Sequence, residues 1–245
     1  MGLICEREEI VFEPIKHTYT SLIDGKELIS VSKFIHLWVK EFDKDGEIVA
    51  RCAKKEGISV EEMKARWQKI NDDSNIYGTS VHDDIEYYVK TGIIRDTLNK
   101  HWVEQFSTIK FKGKLFPEER LYCLEDGICG TSDLPELIDE ENKIINIWDY
   151  KTNKELSKYS KYGNYMLGQL FYIEDCNFNH YTLQLSTYAY LLEKKGYKIN
   201  ELGLIYFNRN TDKMERHPIE YKKDIVMKMI ELYKAGKTPK KLHVI

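Results

Sequence analysis

The stretch Lys143–Lys154 reads KIINIWDYKTNK, an apolar run that stops at an acid, an aromatic, a lysine and a threonine. In an extended strand, side chains two residues apart point to the same face. Asp149 and Lys151 therefore project together just where the hydrophobic strand ends. Such a pair is either a plain ion pair or part of a site. Taken alone, a D-x-K is common and describes a surface ion pair worth little.

Working outward, ERLYCLED and GICGTSDLPELID precede this strand as two further strand-like segments bounded by turn residues. Upstream, HTYTSLIDGKELIS alternates around Asp24-Gly25, a pair that accepts the positive φ of a tight turn, and predicts a hairpin. SVSKFIHLWVKEF reads as a helix capped by Ser30 or Ser32, and residues 47–71 as helical with a break at Gly57-Ile58-Ser59. TSVHDDIEYYVKTG forms a third helix whose stripe is Val81, Ile85 and Tyr88 or Val89, stopped by Gly92, and LNKHWVEQFSTIKF a fourth. Downstream come a strong helix in YTLQLSTYAYLLEKKG, a short buried strand in LGLIYF and a last helix in KKDIVMKMIELYKAG. That order predicts an α/β protein with a mixed central sheet flanked by helices. We divide residues 1–245 as one domain: an N-terminal hairpin and helical region (1–110), a core (111–210) and a C-terminal helix and tail (211–245) carrying Lys234, Lys237, Lys240 and Lys241.

The composition narrows the function. A net charge of -3 excludes a broadly basic nucleic-acid binder, so any such contact comes from local patches or through metal ions. Five scattered cysteines without a C-x-x-C favour reduced thiols in a cytoplasmic setting over a zinc or disulfide framework. No apolar run approaches the roughly 20 residues of a membrane span, and MGLICEREEI turns acidic too soon for a secretory signal.

Several polar residues then align with the opening motif. Asp133 lies on the strand before the one bearing Asp149, where hairpin pairing sets residues side by side. His82 and Glu86 share a helix face, as do Gln184 and Tyr188. Glu119 opens the first strand, with Glu118 beside it as the other candidate. Singly, His82 reads as an ordinary core or surface histidine, and Gln184 and Tyr188 as residues of a core-facing helix. Together, two carboxylates and a lysine at a strand end suit phosphodiester hydrolysis with Mg²⁺ or Mn²⁺, the imidazole favouring Mn²⁺. KTNKELSKYSKYGNY interleaves Lys154, Lys158 and Lys161 with Tyr159, Tyr162 and Tyr165. It is either a path for single-stranded DNA or a solvated loop.

GTSVH (Gly78–His82), Glu119, GTSD (Gly130–Asp133), DYK (Asp149–Lys151) and QLSTY (Gln184–Tyr188) stand in the order GxxxH, Glu, GxxD, DxK, QxxxY. In that order they resemble the RecB-like exonuclease branch of the PD-(D/E)xK nuclease superfamily, over roughly residues 17–207. Within it the chain is similar to phage exonucleases and the mitochondrial genome maintenance exonuclease. DGKELISVSKFI resembles their first motif, with Ser32 in place of a threonine. The resemblance implies a restriction-endonuclease-like core and a DNA exonuclease of recombination, repair or end processing, cytoplasmic, or in the host cytoplasm if phage-encoded. An endonuclease with the same metal site and a catalytically silent nucleic-acid-binding subunit are the alternatives. It implies His82, Asp133, Asp149 and the Tyr150 carbonyl as ligands of Mg²⁺ or Mn²⁺, and Lys151, Asp149, Asp133 and Glu119 as catalytic. Gln184, Tyr188, Ser32 and the loop residues Lys154, Lys158, Tyr159, Lys161 and Tyr162 would bind substrate. The implied partners are single-stranded or end-frayed DNA and a single-strand-binding or recombination protein, with no membrane. Because Cys176 precedes QxxxY, no iron–sulfur cluster is expected.

Overall fold

The computed structural model describes residues 9–13 and 18–241. The reading of the first residues as no leader, and Cys5, lie outside the described residues.

Two five-stranded mixed sheets form the centre. The first contains β1 (Ile10–Glu13), β2 (Thr18–Ser21), β3 (Glu27–Ser30), β5 (Glu119–Cys123) and β6 (Ile128–Ser132), in the order β1-β2-β3-β6-β5. The second contains β4 (Lys114–Leu115), β7 (Leu134–Asp139), β8 (Ile144–Lys151), β9 (Lys198–Asn208) and β10 (Lys213–Ile219), in the order β10-β9-β8-β7-β4. The expected hairpin is β2–β3, with Gly25 at a φ of 70° in its turn. Its second strand runs parallel to β6 (Ile29↔Ile128), so the N-terminal hairpin is part of the sheet rather than an appendage to a core at 111–210.

GICGTSDLPELID, expected as one strand, is two. The chain leaves the first sheet after Ser132, turns at Asp133 and enters the second at Leu134. The sequence gives no break in apolar pattern there because both halves are buried. β10, unforeseen in the polar KMERHPI, extends the second sheet beyond residue 210 and pairs antiparallel with β9.

Among the described residues six α-helices cover the sheets: α1 (Val31–His36), α2 (Glu47–Glu56), α3 (Val60–Thr91), α4 (Lys100–Ser107), α5 (Asn177–Lys194) and α6 (Lys223–Lys234). Strand alternation sorts the packing. Ile145 and Ile147 of β8 face α1, α5 and α6 in one apolar cluster. Trp148 and Tyr150 turn to the other face, against Val81 and Ile85 of α3 and Trp102 and Phe106 of α4. Each such fully buried side chain contributes about 1.5–3 kcal/mol. Gly203 on β9 is required here, since a Cβ would stand 2.5 Å from the Trp148 ring.

The helices expected at 59–71 and 79–92 are one. α3 has 32 residues, opens with a Ser59–Glu62 capping box and stops at Gly92, whose φ is 72°. It spans about 48 Å at 1.5 Å per residue. Gly78, a helix-weakening residue worth about 1 kcal/mol, sits inside it without breaking it. Its N-terminal part packs on α2 through Met63, Val49 and Ala53, and residues 68–76 are exposed on every side. The C-terminal lysines, expected as a tail, are docked in part: Lys234 pairs with Asp126 (2.8 Å) and Lys240 donates to the Val39 carbonyl (3.0 Å). Among the described residues no helix is long and apolar enough to cross a membrane.

Candidate active site

The β7–β8 register pairs Leu134 with Trp148, which puts Asp133 opposite Asp149 at the strand ends. Asp133 is held there by the chain itself: the Tyr150 amide donates to its Oδ2 at 2.7 Å. Asp149 and Lys151 share the α5-facing side of β8, and the Lys151 ammonium lies against Asp149 Oδ2. Beneath that ammonium is the Tyr181 ring of α5, with Nζ 4.7 Å from its centroid.

His82 arrives from α3. Gly78, one turn earlier, allows it: a Cβ there would already crowd the Thr152 hydroxyl at 3.2 Å, so the helix crosses close over the end of β8. The helix is anchored below the crossing by buried Asp84. Its Oδ2 accepts from Thr97 Oγ1 (2.7 Å) and Asn99 Nδ2 (2.9 Å), and its Oδ1 pairs with Arg95 Nε (3.0 Å). His82 Nδ1 then stands 3.7 Å from Glu118 Oε1 and 3.8 Å from Asp133 Oδ2, and one ligand atom from each of the three lies within 4.8 Å of the others.

The acid that joins His82 and Asp133 is Glu118, not Glu119. Glu119 begins β5 opposite Ser132, whereas Glu118 has a φ of 54° and donates its amide to the Asp133 carbonyl (2.9 Å). A left-handed glutamate costs about 1–2 kcal/mol, and here the kink turns its carboxylate off the strand period into the cluster. A period-two reading of EERLYC does not contain that turn. Tyr150 contributes no side chain to the acids: its ring is buried among α3 and α4 residues, edge-on to His82 at 5.3 Å.

Charge shapes the site. Burial pushes the Asp149 carboxyl up; Lys151 pulls it back and Asp133 pushes further, leaving it at about 6. Burial pulls the Lys151 ammonium down, but Asp149 and Asp133 outweigh it and hold the amine well above its ordinary value. Burial also lowers His82, and Asp133 and Glu118 reverse the sign, so its net shift is upward. Three carboxylates crowd a site whose own cations are Lys151 and a protonatable imidazole. Asp149 is buried; the Lys151 ammonium lies against its Oδ2, and among the described residues no donor reaches its Oδ1. Buried polar atoms without partners are uncommon and costly. The His82, Glu118 and Asp133 cluster, with the buried Asp149 carboxylate opposite Asp133, fits a divalent cation.

The remaining expected residues divide. Tyr188 is buried with its hydroxyl 3.5 Å from Gln184 Nε2, in a hole kept by Gly130, where a Cβ would meet the Tyr188 ring at 2.9 Å. The glycine of GTSD and the tyrosine of QLSTY are thus one packing unit behind the acids. Ser32 is exposed on α1, 3.3 Å from the Ser30 hydroxyl. Lys154, Lys158, Tyr159, Lys161 and Tyr162 lie exposed in the segment after β8; Lys161 pairs with Glu155, and Lys158 sits over the Phe178 ring at 5.3 Å.

The family profile described as PD-(D/E)XK nuclease superfamily matches residues 25–239. The chain belongs to that superfamily, and membership implies metal-dependent cleavage of nucleic acid. No curated protein matches it. The crystal structure of SSO0001 is similar at 13% identity and a TM-score of 0.41, over 84% of this chain and 74% of that one, a likeness too distant to carry an argument.

Proposed function

We propose that this PD-(D/E)XK superfamily member is a Mg²⁺- or Mn²⁺-dependent DNA exonuclease of the RecB-like branch, acting as a single domain in phage-type recombination, repair or end processing in the cytoplasm. The observation that carries the reading is the buried Asp149 carboxylate, with Lys151 against its Oδ2 and no donor on its Oδ1, beside the His82–Glu118–Asp133 cluster.

Asp133, Asp149, Glu118, His82 and the Tyr150 carbonyl would hold the cation. When bound, it polarises the phosphoryl oxygen and acidifies an attacking water. Lys151 carries its proton at neutral pH, because the acids around it hold its pKa up. Its Nζ–H groups are donors for the attacking water or a non-bridging phosphate oxygen. Tyr188 and Gln184 support the floor of the site, and Asp133, fixed by the Tyr150 amide, keeps one ligand oxygen in place.

Action from ends is supported by α3, which passes over the end of β8 at Gly78 and Thr152, and by the exposed segment bearing Tyr159 and Tyr162. A strand lying between the two would enter by its terminus, and the tyrosines offer faces on which bases stack without sequence readout. The test is a gel time course on end-labelled linear DNA and covalently closed single-stranded circles with Mn²⁺, Mg²⁺ or EDTA. Linear DNA should shorten from a terminus only with metal, while circles resist. Circles nicked as fast as linear DNA is cut would make the protein an endonuclease, and no cleavage under any metal would leave a silent binding subunit.

A further inference from the structure

Beyond the acids, the same edge of the second sheet carries an arginine that no motif marks. β8 and β9 run parallel with Lys151 opposite Tyr206, so both strands end on the edge where the acids lie. Three residues past Tyr206, in the β9–β10 turn, stands Arg209. Its guanidinium lies over the Tyr77 ring at 4.2 Å, and Tyr77 is itself held by its hydroxyl, which accepts from Trp102 Nε1 at 2.6 Å. Tyr77 directly precedes Gly78, the point at which α3 crosses Thr152. Two further bonds fasten the turn to the chain leaving Lys151: Tyr206 Oη donates to the Asn153 carbonyl (3.0 Å), and Asn210 Nδ2 to the Lys154 carbonyl (2.7 Å).

Arg209 is thus exposed, fixed on an aromatic face and set at the rim of an acidic site. Among the described residues it has neither a carboxylate partner nor a hydrogen-bond acceptor. Among the lysines of the exposed rim segment, Lys161 is already paired with Glu155, and Lys158 lies over the Phe178 ring. An arginine stacked on an aromatic keeps its planar fork of donors free for an anion and loses little rotamer entropy on binding one. Tyr77 and His82 are five residues apart on one helix, about 7.5 Å along its axis. Arg209, stacked on Tyr77, is therefore offset along the rim from the His82 end of the site.

Resting on the nuclease reading above, we propose that Arg209 is a substrate-binding residue that takes a backbone phosphate adjoining the one cleaved, with Tyr77 as its positioning residue. This contact is independent of base identity and needs a substrate long enough to span both places.

The experiment uses the whole chain and a fluorescently labelled single-stranded oligothymidylate. Anisotropy in EDTA across a KCl series gives affinity and its salt slope. Arg209→Ala should weaken binding about tenfold and make the log–log salt slope shallower by about 0.7, the loss of one phosphate contact on a single strand. Arg209→Lys should keep the slope while losing part of the affinity, since it retains the charge and not the fork. With Mn²⁺, Arg209→Ala should raise KM rather than lower kcat. The ratio of wild-type to variant kcat/KM should fall toward one as the substrate is shortened to a dinucleotide. An unchanged affinity and slope would overturn the assignment, as would weakened binding with an unchanged slope or a loss confined to kcat. If the wild type binds but cleaves nothing with either metal, the nuclease reading falls, and the salt slope still decides the phosphate contact.

Discussion

Two carboxylates of the second sheet are buried to the same degree and sit in opposite circumstances. Glu136 on β7 and Asp149 on β8 are 2% and 1% exposed. Glu136 accepts four bonds: from the Lys112 and Gly113 amides at 2.5 and 2.9 Å, and from Asn146 Nδ2 and Trp148 Nε1 at 2.9 Å each. Gly113 is obligatory in that cradle, because a Cβ would meet the Leu137 carbonyl at 2.1 Å. Burial pushes Glu136 up, but its four donors outweigh it and hold it below the usual carboxylate range. Asp149 has the Lys151 ammonium on one oxygen and no donor on the other, and is raised to about 6. A buried acid surrounded by donors belongs to the architecture; one with a single ammonium beside it and other acids around it has room for a cation.

The sharpest way to break this contrast is to neutralise both. Asp149→Asn should lower cleavage by about a thousandfold or more. It should also abolish the stabilisation that Mn²⁺ gives the wild type, about 2.7 kcal/mol at a hundredfold excess over Kd and visible as a rise in Tm. Cleavage near the wild-type rate would remove Asp149 from the chemistry. Glu136→Gln should do the reverse: the metal-induced shift survives, while unfolding free energy falls by about 3 kcal/mol because an amide faces donors. Thermal melts with and without Mn²⁺ compare the two directly. A Glu136 variant as stable as wild type would erase the distinction.

The comparison sharpens at the adjacent pair Glu118 and Glu119. Glu118→Gln should weaken the Mn²⁺ dependence of activity by about 10–100-fold, and Glu119→Gln should leave the metal titration nearly unmoved. Equal effects would mean that the left-handed turn at Glu118 has no part in the site. The smallest effect is on acid stability. Glu136 has a folded pKa depressed below its ordinary value of 4.5. The stability it contributes is complete above that value and is lost as pH falls through the folded pKa. Denaturant midpoints should therefore fall below about pH 4.5, and Glu136→Gln should flatten that decline. A variant with the same acid slope as wild type would locate the loss elsewhere.

Much of this was legible in the sequence where local chemistry is decisive. Ser59 and Gly92 mark helix ends by capping, and Asp24-Gly25 marks a hairpin by its φ. The alternation of β8 put Asp149 and Lys151 on one face. What was illegible depends on distant partners. Gly78 is tolerated in α3 because the close approach to Thr152 needs it, and nothing local distinguishes that from a helix stop. The change of sheet at Asp133 falls inside an unbroken buried run, and polar β10 is a strand because β9 offers it an edge. The choice between Glu118 and Glu119, and Arg209 altogether, were illegible for the same reason. Glu118 and Arg209 are each placed by a turn and a cross-chain neighbour, not by spacing.

The parallel pairing of β3 with β6 has a consequence for synthesis. β3 leaves the ribosome well before β6, with all of α1 to α4 between them, so the first sheet must wait for a partner from far along the chain. Such distant pairings slow folding, and an unpaired hairpin edge is exposed meanwhile. Asp133 is positioned only when both sheets meet at it, and Lys151 only when β9 and α5 have followed. The candidate active site therefore forms only once β9 and α5 are in place, after both sheets have met.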